Sequence, residues 1–307
     1  MFSVKIHNSI ERVKKSDWDR VSQNHGLLQY GWIKAIEQTL SESFTPWYPM
    51  LYENDEPVAA MALRQINMAE GEDSFDFHLF GRLYPFFSFL GISSLPTIDS
   101  MPLKGYPALF LSVPDSNPSR VLNRLQTLLT SIQDRSWRAK RSIAFTRVVG
   151  DDLNAMRLLR LNNYARMIAP PLAYLDIVWP TFRAYRQDRM RLSKNTRKKI
   201  AREINHNQKA GVSIVVLDHL DGYEDELYRL IKLNAVKHNP AAAFYTHHFF
   251  HVLKANVKRG LRLYTAFKNN QMVGMSLFLA DADIWHSLFV GIDHEIDGND
   301  LTYFNIT

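Results

Sequence analysis

The strongest constraint on this chain is an order of segments that it runs through twice. In the second half, a basic helical run at 193–208 ends at Gly211, and Val-Ser-Ile-Val-Val-Leu at 212–217 follows as a buried-strand run. Asp221 caps a helix with apolar spacing through Leu227, Leu230, Ile231 and Leu233, and Thr246 caps another to about residue 259. The runs 261–267, 272–280 and 284–292 are parted by Lys268-Asn269-Asn270-Gln271 and Asp281-Ala282-Asp283, which predicts a three-strand meander. The first half is similar. A helix at 18–36 capped by Asp17 leads into strands at 47–52 and 57–65, joined by Glu53-Asn54-Asp55-Glu56. After a Phe-, Gly-, Ser- and Pro-rich stretch at 67–114, read as broken strands and loops, Ser116-Asn117-Pro118 caps a helix to about 135. A strand at 142–149, a helix from Asp151 to about 161 and a strand at 171–178 complete it. This order predicts an α/β protein with mixed (α+β) sheets in two lobes, 1–179 and 180–307.

Composition narrows the classes. A length of 307 residues suits two domains, and a hydrophobic fraction of 46% suits folded cores. No apolar run reaches the roughly 18 residues that span a bilayer, and Lys5 interrupts the place of a secretory core. With zero cysteines there are no disulfides, thiolate metal sites or thiol nucleophiles, and a cytoplasmic protein is expected. The basicity is local. Residues 182–209 hold ten cations and two acids, a local +8 against a chain total of +6, so the remainder sums to −2.

Several local runs carry a resemblance. Leu28-Gln29-Tyr30-Gly31-Trp32, Leu161-Asn162-Asn163-Tyr164 with Ala173-Tyr174-Leu175-Asp176-Ile177, and Leu192-Ser193-Lys194-Asn195-Thr196-Arg197-Lys198-Lys199-Ile200-Ala201-Arg202 are three of them. Phe249-Phe250, Leu263-Tyr264-Thr265-Ala266 and Gln271-Met272-Val273-Gly274 continue the series. Together they resemble the tandem-GNAT acyltransferases of the Fem-like, peptidoglycan-bridge superfamily over nearly the whole chain. The resemblance implies two GNAT-like lobes, the first a scaffold and the second holding the cleft. It also implies transfer of an acyl or aminoacyl group from acyl-CoA or aminoacyl-tRNA, as co-substrate, to a small-molecule or peptide amine. No permanently bound cofactor is expected.

Such transfer is direct attack of a neutral amine on an activated carbonyl, which needs an oxyanion donor, a proton route and cations for the donor's phosphates. His286 is the candidate proton carrier, and Asp293 and Tyr303 are further candidates by family position. Lys194, Arg197 and Lys198 of the basic helix, with Trp285, are candidates for binding the co-substrate. Each has a plainer alternative: a packed histidine, a turn-capping aspartate, a core tyrosine, a solvated helix face. No Gly-rich phosphate loop, Walker motif or nucleophile elbow is present. His247 and His251 stand at i and i+4 beside His248, but the Glu of H-E-x-x-H is missing and no third ligand is evident, so no metal is expected.

The chain stops at Leu301-Thr302-Tyr303-Phe304-Asn305-Ile306-Thr307, inside an expected helix. A truncated second lobe is therefore expected, with either association of copies through the exposed meander or mobile residues after about Ile292. The reading that competes with an enzyme is an inactive tandem-GNAT protein binding nucleic acid, including tRNA, or a protein partner through 182–209.

Overall fold

In a computed structural model of the chain, the described residues are 1–23, 25–40, 44–66, 83–89, 97–100, 110–139, 142–145, 153–164, 175–238, 246–280 and 284–297. They fall into two compact units, Met1–Ala169 with Ala255–Val257, and Pro170–Lys254 with Lys258–Thr307. The expected boundary at Trp179 lies inside the second unit.

The first unit opens with strand β1 (Phe2–His7), helices α1 (Lys15–Ser22) and α2 (Tyr30–Leu40), and strands β2 (Phe44–Glu53), β3 (Glu56–Ala60) and β4 (Leu63–Ile66). It continues through α3 (Tyr84–Phe89), β5 (Thr97–Ser100), β6 (Leu111–Ser112), α4 (Pro118–Arg138), β7 (Ser142–Ile143) and α5 (Leu153–Leu161). The single helix expected at 18–36 is two helices. Gln23 takes a left-handed conformation (φ 50°), which ends α1, and a 3-10 turn at Gly26–Leu28 intervenes. The capping position is Lys14, not Asp17. The hairpin reading stands: Asn54 and Asp55 both have positive φ, as a two-residue type I′ turn requires.

The sheet runs β6-β3-β2-β4-β5-β7, with β1 also on β2; all pairs are antiparallel except β5 with β7. Leu125, Leu128, Leu129 and Ile132 of α4 repeat at helical spacing and pack on Trp47, Leu51, Val58 and Leu63. Each such side chain contributes roughly 1.5–3 kcal/mol by leaving water. Asn117 caps α4, its Oδ1 accepting from the N–H of Ser119 and Arg120. On the same helix the buried Arg124 donates to Glu53 at 3.0 Å and pairs with Asp115 at 3.1 Å, tying α4 to the end of β2. Of the strand expected at 171–178, residues 175–178 are not strand, and 171–174 lie outside the described residues.

The second unit contains α6 (Phe182–Gln187), α7 (Lys194–Lys209), β8 (Ser213–Leu217), α8 (Glu224–His238), all but the last two residues of α9 (Phe249–Asn256), β9 (Leu261–Lys268), β10 (Gln271–Ala280), β11 (Trp285–Ile292) and α10 (His294–Asp297). Its sheet is antiparallel in the order β11-β10-β9-β8. Asn269 and Asn270, both at positive φ, make the β9–β10 turn. Register shifts at Met272/Gly274 and Leu277/Phe278 mark bulges on both sides of β10.

Phe249 and Phe250 pack edge-on against Phe289 at 5.6 and 5.7 Å, fixing α9 to β11. A Cβ on Gly291 would come within 2.7 Å of the Leu230 backbone, so α8 lies directly on β11 there. β8 was expected to be buried. Among the described residues it is an edge strand, and Ile214, Val215 and Val216 are 37–53% exposed. Asp221 likewise does not cap α8; Asp221–Tyr223 form a turn, and its carboxylate pairs with Lys254 at 2.7 Å.

Candidate functional site

The basic stretch folds into two helices around one aspartate. Thr181 caps α6, its Oγ1 accepting from the N–H of Ala184, and the helix ends at Asp188. The Asp188 carboxylate then accepts from the backbone N–H of Met190 (2.8 Å) and Arg191 (2.9 Å) and from the indole N–H of Trp179 (2.7 Å). The Arg191 N–H and the Trp179 indole hold its carboxyl below the ordinary aspartate value. Arg191 lies over the Trp179 ring, and Tyr185 meets that ring edge-on at 4.8 Å. These contacts turn the chain into Ser193, whose Oγ caps α7 by accepting from the Thr196 N–H. Arg197 returns to the turn by donating to the Leu192 carbonyl at 2.8 Å.

Between α6 and α7 lies a groove of about 820 Å³. Phe182, Arg183, Arg186, Gln187, Arg189, Lys194, Arg197, Lys198 and Ala201 line it. Six of these nine residues are cations and none is an acid. None of the six forms an ion pair among the described residues, and Lys199, which does, points to Glu203. α7 presents Ile200, Glu203, Ile204 and Asn207 on its less exposed side, so its basic side is left to the groove. Six like charges around one concavity create a strong positive potential, and the fork-shaped guanidinium groups among them suit phosphate oxygens.

The expected site residues are distributed as follows. Lys194, Arg197 and Lys198 come together in this groove. Trp285, half exposed at 48%, does not line it; its ring is 6.1 Å from Phe278 on the sheet. His286, next on β11, is 8% exposed, and strand alternation directs it to the other face from Trp285. Asp293 stands seven residues further on, roughly 20 Å along the strand path. Its carboxylate accepts from Arg229 Nη1 at 2.6 Å and from the N–H of Glu295 and Ile296, capping α10. Burial would raise the Asp293 carboxyl, but the Arg229 bond and the Ile296 N–H outweigh that and hold it below the ordinary value. Arg229 also donates to Glu226 and to the Met272 carbonyl, joining α8, β10 and the end of β11. Tyr303 lies outside the described residues.

Arg183, Arg186 and Arg189 were counted in the basic patch but not assigned to the site. The signal that could have found them is the Thr181 cap together with Asp188, which fold 181–191 against α7. Among the described residues no helix is long and apolar enough to cross a membrane.

A family model described as peptidoglycan biosynthesis/recognition, FemAB-like, matches residues 9–301. A conserved protein of unknown function from Bacteroides thetaiotaomicron VPI-5482 is similar in structure, with 11% identity, a TM-score of 0.54, and coverage of 99% of this chain and 86% of that one. The crystal structure of FemX is similar too, with 9% identity, a TM-score of 0.53, and coverage of 98% and 84%. No curated protein matches the chain. These two likenesses extend over nearly the whole length and agree with a Fem-like fold of two α/β units. The chain belongs to the FemAB-like family.

Proposed function

We propose that the chain is an N-acyltransferase that moves an acyl or aminoacyl group from a phosphate-bearing donor, acyl-CoA or aminoacyl-tRNA, to an amine acceptor. The observation that carries this reading is the groove between α6 and α7, with six cations and no carboxylate, in a chain of the FemAB-like family. The groove takes the donor's phosphates, and the Ser193-capped start of α7 adds the partial positive charge of a helix N-terminus. The amine attacks the donor carbonyl, a tetrahedral intermediate forms, and its collapse expels the thiol or the ribose hydroxyl. His286 is the proposed route for the amine proton, with Tyr303 as a second candidate and Trp285 as a contact for the donor's non-phosphate part. Asp293 acts by position, through Arg229, in holding the end of β11.

The family's link to peptidoglycan favours an amine of a cell-wall peptide precursor as acceptor. The test incubates the protein with lysine-containing peptidoglycan peptides and either donor, and reads the peptide masses. A mass increase equal to one acyl or aminoacyl group is the expected result. No increase with either donor, alongside polyanion binding that falls steeply with salt, favours a binding protein instead.

A further inference from the structure

The fold gives His247 and His251 a third partner that the sequence spacing does not. Asp225, in the first turn of α8, places Oδ1 2.8 Å from His247 Nε2 and 3.2 Å from His251 Nε2. His251 is on α9, and His247 is in the turn before it, bound into that turn by the Phe249 N–H to Thr246 carbonyl bond. We infer that Asp225, His247 and His251 form a binding site for a late first-row divalent cation, of which zinc is the representative.

Three observations converge. The ligand atoms all lie within 4.8 Å of one another. Ligands around a tetrahedral zinc with nitrogen and oxygen bonds stand about 3.3 Å apart. The two carboxylate–imidazole separations are therefore already near that spacing, and rotation of exposed side chains supplies the rest.

The neighbouring acids are otherwise engaged. Glu224 accepts from Lys254 at 2.6 Å, and Glu226 accepts from Arg229 at 2.8 Å. Asp225, between them, meets only the two imidazoles among the described residues.

The local charge also favours a cation. Asp221, Glu224, Asp225 and Glu226 against Lys254 and Arg229 leave −2, while the N-termini of α8 and α9 together contribute about +1. Two imidazoles and one carboxylate are the donor set of zinc, nickel, cobalt and ferrous ions, and they disfavour magnesium and calcium. All three side chains are solvent-accessible, so water completes the coordination, and the cation ties the start of α8 to the start of α9.

The experiment titrates zinc into the full chain by calorimetry, and cobalt(II) in parallel with visible absorption. One equivalent of zinc is expected to bind, with cobalt d–d bands of a nitrogen/oxygen site. Asp225→Asn and His251→Ala should each weaken binding at least tenfold. His219→Ala, which removes a histidine outside the cluster, should leave it unchanged, and magnesium should not compete. Because the three residues are exposed, unchanged circular dichroism in the variants separates a lost site from a lost fold. Absence of saturable binding up to about 1 mM zinc overturns the inference. So does zinc affinity that is the same in the His247→Ala/His251→Ala double variant, since the cluster is then an ordinary imidazole–carboxylate pairing.

Discussion

At the scale of single residues, two positions in the second unit decide how the end of the meander is held. Gly291 is required by close approach, not by backbone conformation, because a Cβ there would meet the Leu230 backbone at 2.7 Å and Ile231 N at 2.9 Å. Helix backbone cannot step aside as a flexible side chain does. Gly291→Ala is therefore expected to destabilise the protein by about 1–3 kcal/mol in urea unfolding. Nothing in the sequence at Gly291 shows this, since the contact lies between α8 and β11 and not within either.

Asp293 was legible only as a turn residue or a catalytic candidate, and its partner Arg229 lies 64 positions away. The folded carboxyl sits below its ordinary value, so its contribution to stability is complete above the unfolded value near pH 4. That contribution is lost as the pH falls further, through the folded value. Asp293→Asn should therefore cost stability at pH 7, by about 1–3 kcal/mol. The gap from wild type should close below about pH 4, read as melting temperature against pH.

At the scale of elements, helices with a capping residue and a clear apolar stripe were readable, and elements defined by neighbours were not. Asn117-Pro118 and the Leu125–Leu128–Leu129–Ile132 spacing announce α4, and Ser193 announces α7. Leu128 is fully buried at the centre of the first core, so Leu128→Ala is expected to cost about 2–5 kcal/mol in denaturant unfolding. The break between α1 and α2 was passed over, although no apolar side chain falls between Val21 and Leu27 and the chain turns left-handed at Gln23 within that gap. β8 reads as a buried strand by composition, but only its place in the sheet makes it an edge.

The basic stretch was legible as a charged helix, and its concavity was not. That concavity needs α6, the Asp188 turn and α7 together. Lys194 and Lys198 make no ion pair among the described residues and Arg197 gives up one hydrogen bond, to the Leu192 carbonyl, so replacing all three with Ala should cost only about 1 kcal/mol in thermal unfolding.

At the scale of the whole molecule, the twice-repeated segment order and the ordered local motifs were enough to indicate a Fem-like chain of two α/β units. The FemAB-like match over 9–301 and the FemX-like fold agree with that reading. The chemistry is less legible. His286, Asp293 and the cations of 183–198 are spread over a strand, a helix cap and a two-helix groove, and sequence order does not say which of them meet.

Receipt of an activated donor's phosphates by the α6–α7 groove is the proposed step on which the function depends. Its most direct measurement is the affinity of the full chain for aminoacyl-tRNA and for acyl-CoA across a salt series, compared with the Lys194→Ala/Arg197→Ala/Lys198→Ala variant. At least one donor is expected to bind, with an affinity that weakens with salt, and the triple variant is expected to bind that donor at least tenfold more weakly. For tRNA, the variant's log–log salt slope should be shallower by about two to three. Equal donor affinity and equal slope in the two proteins would contradict it.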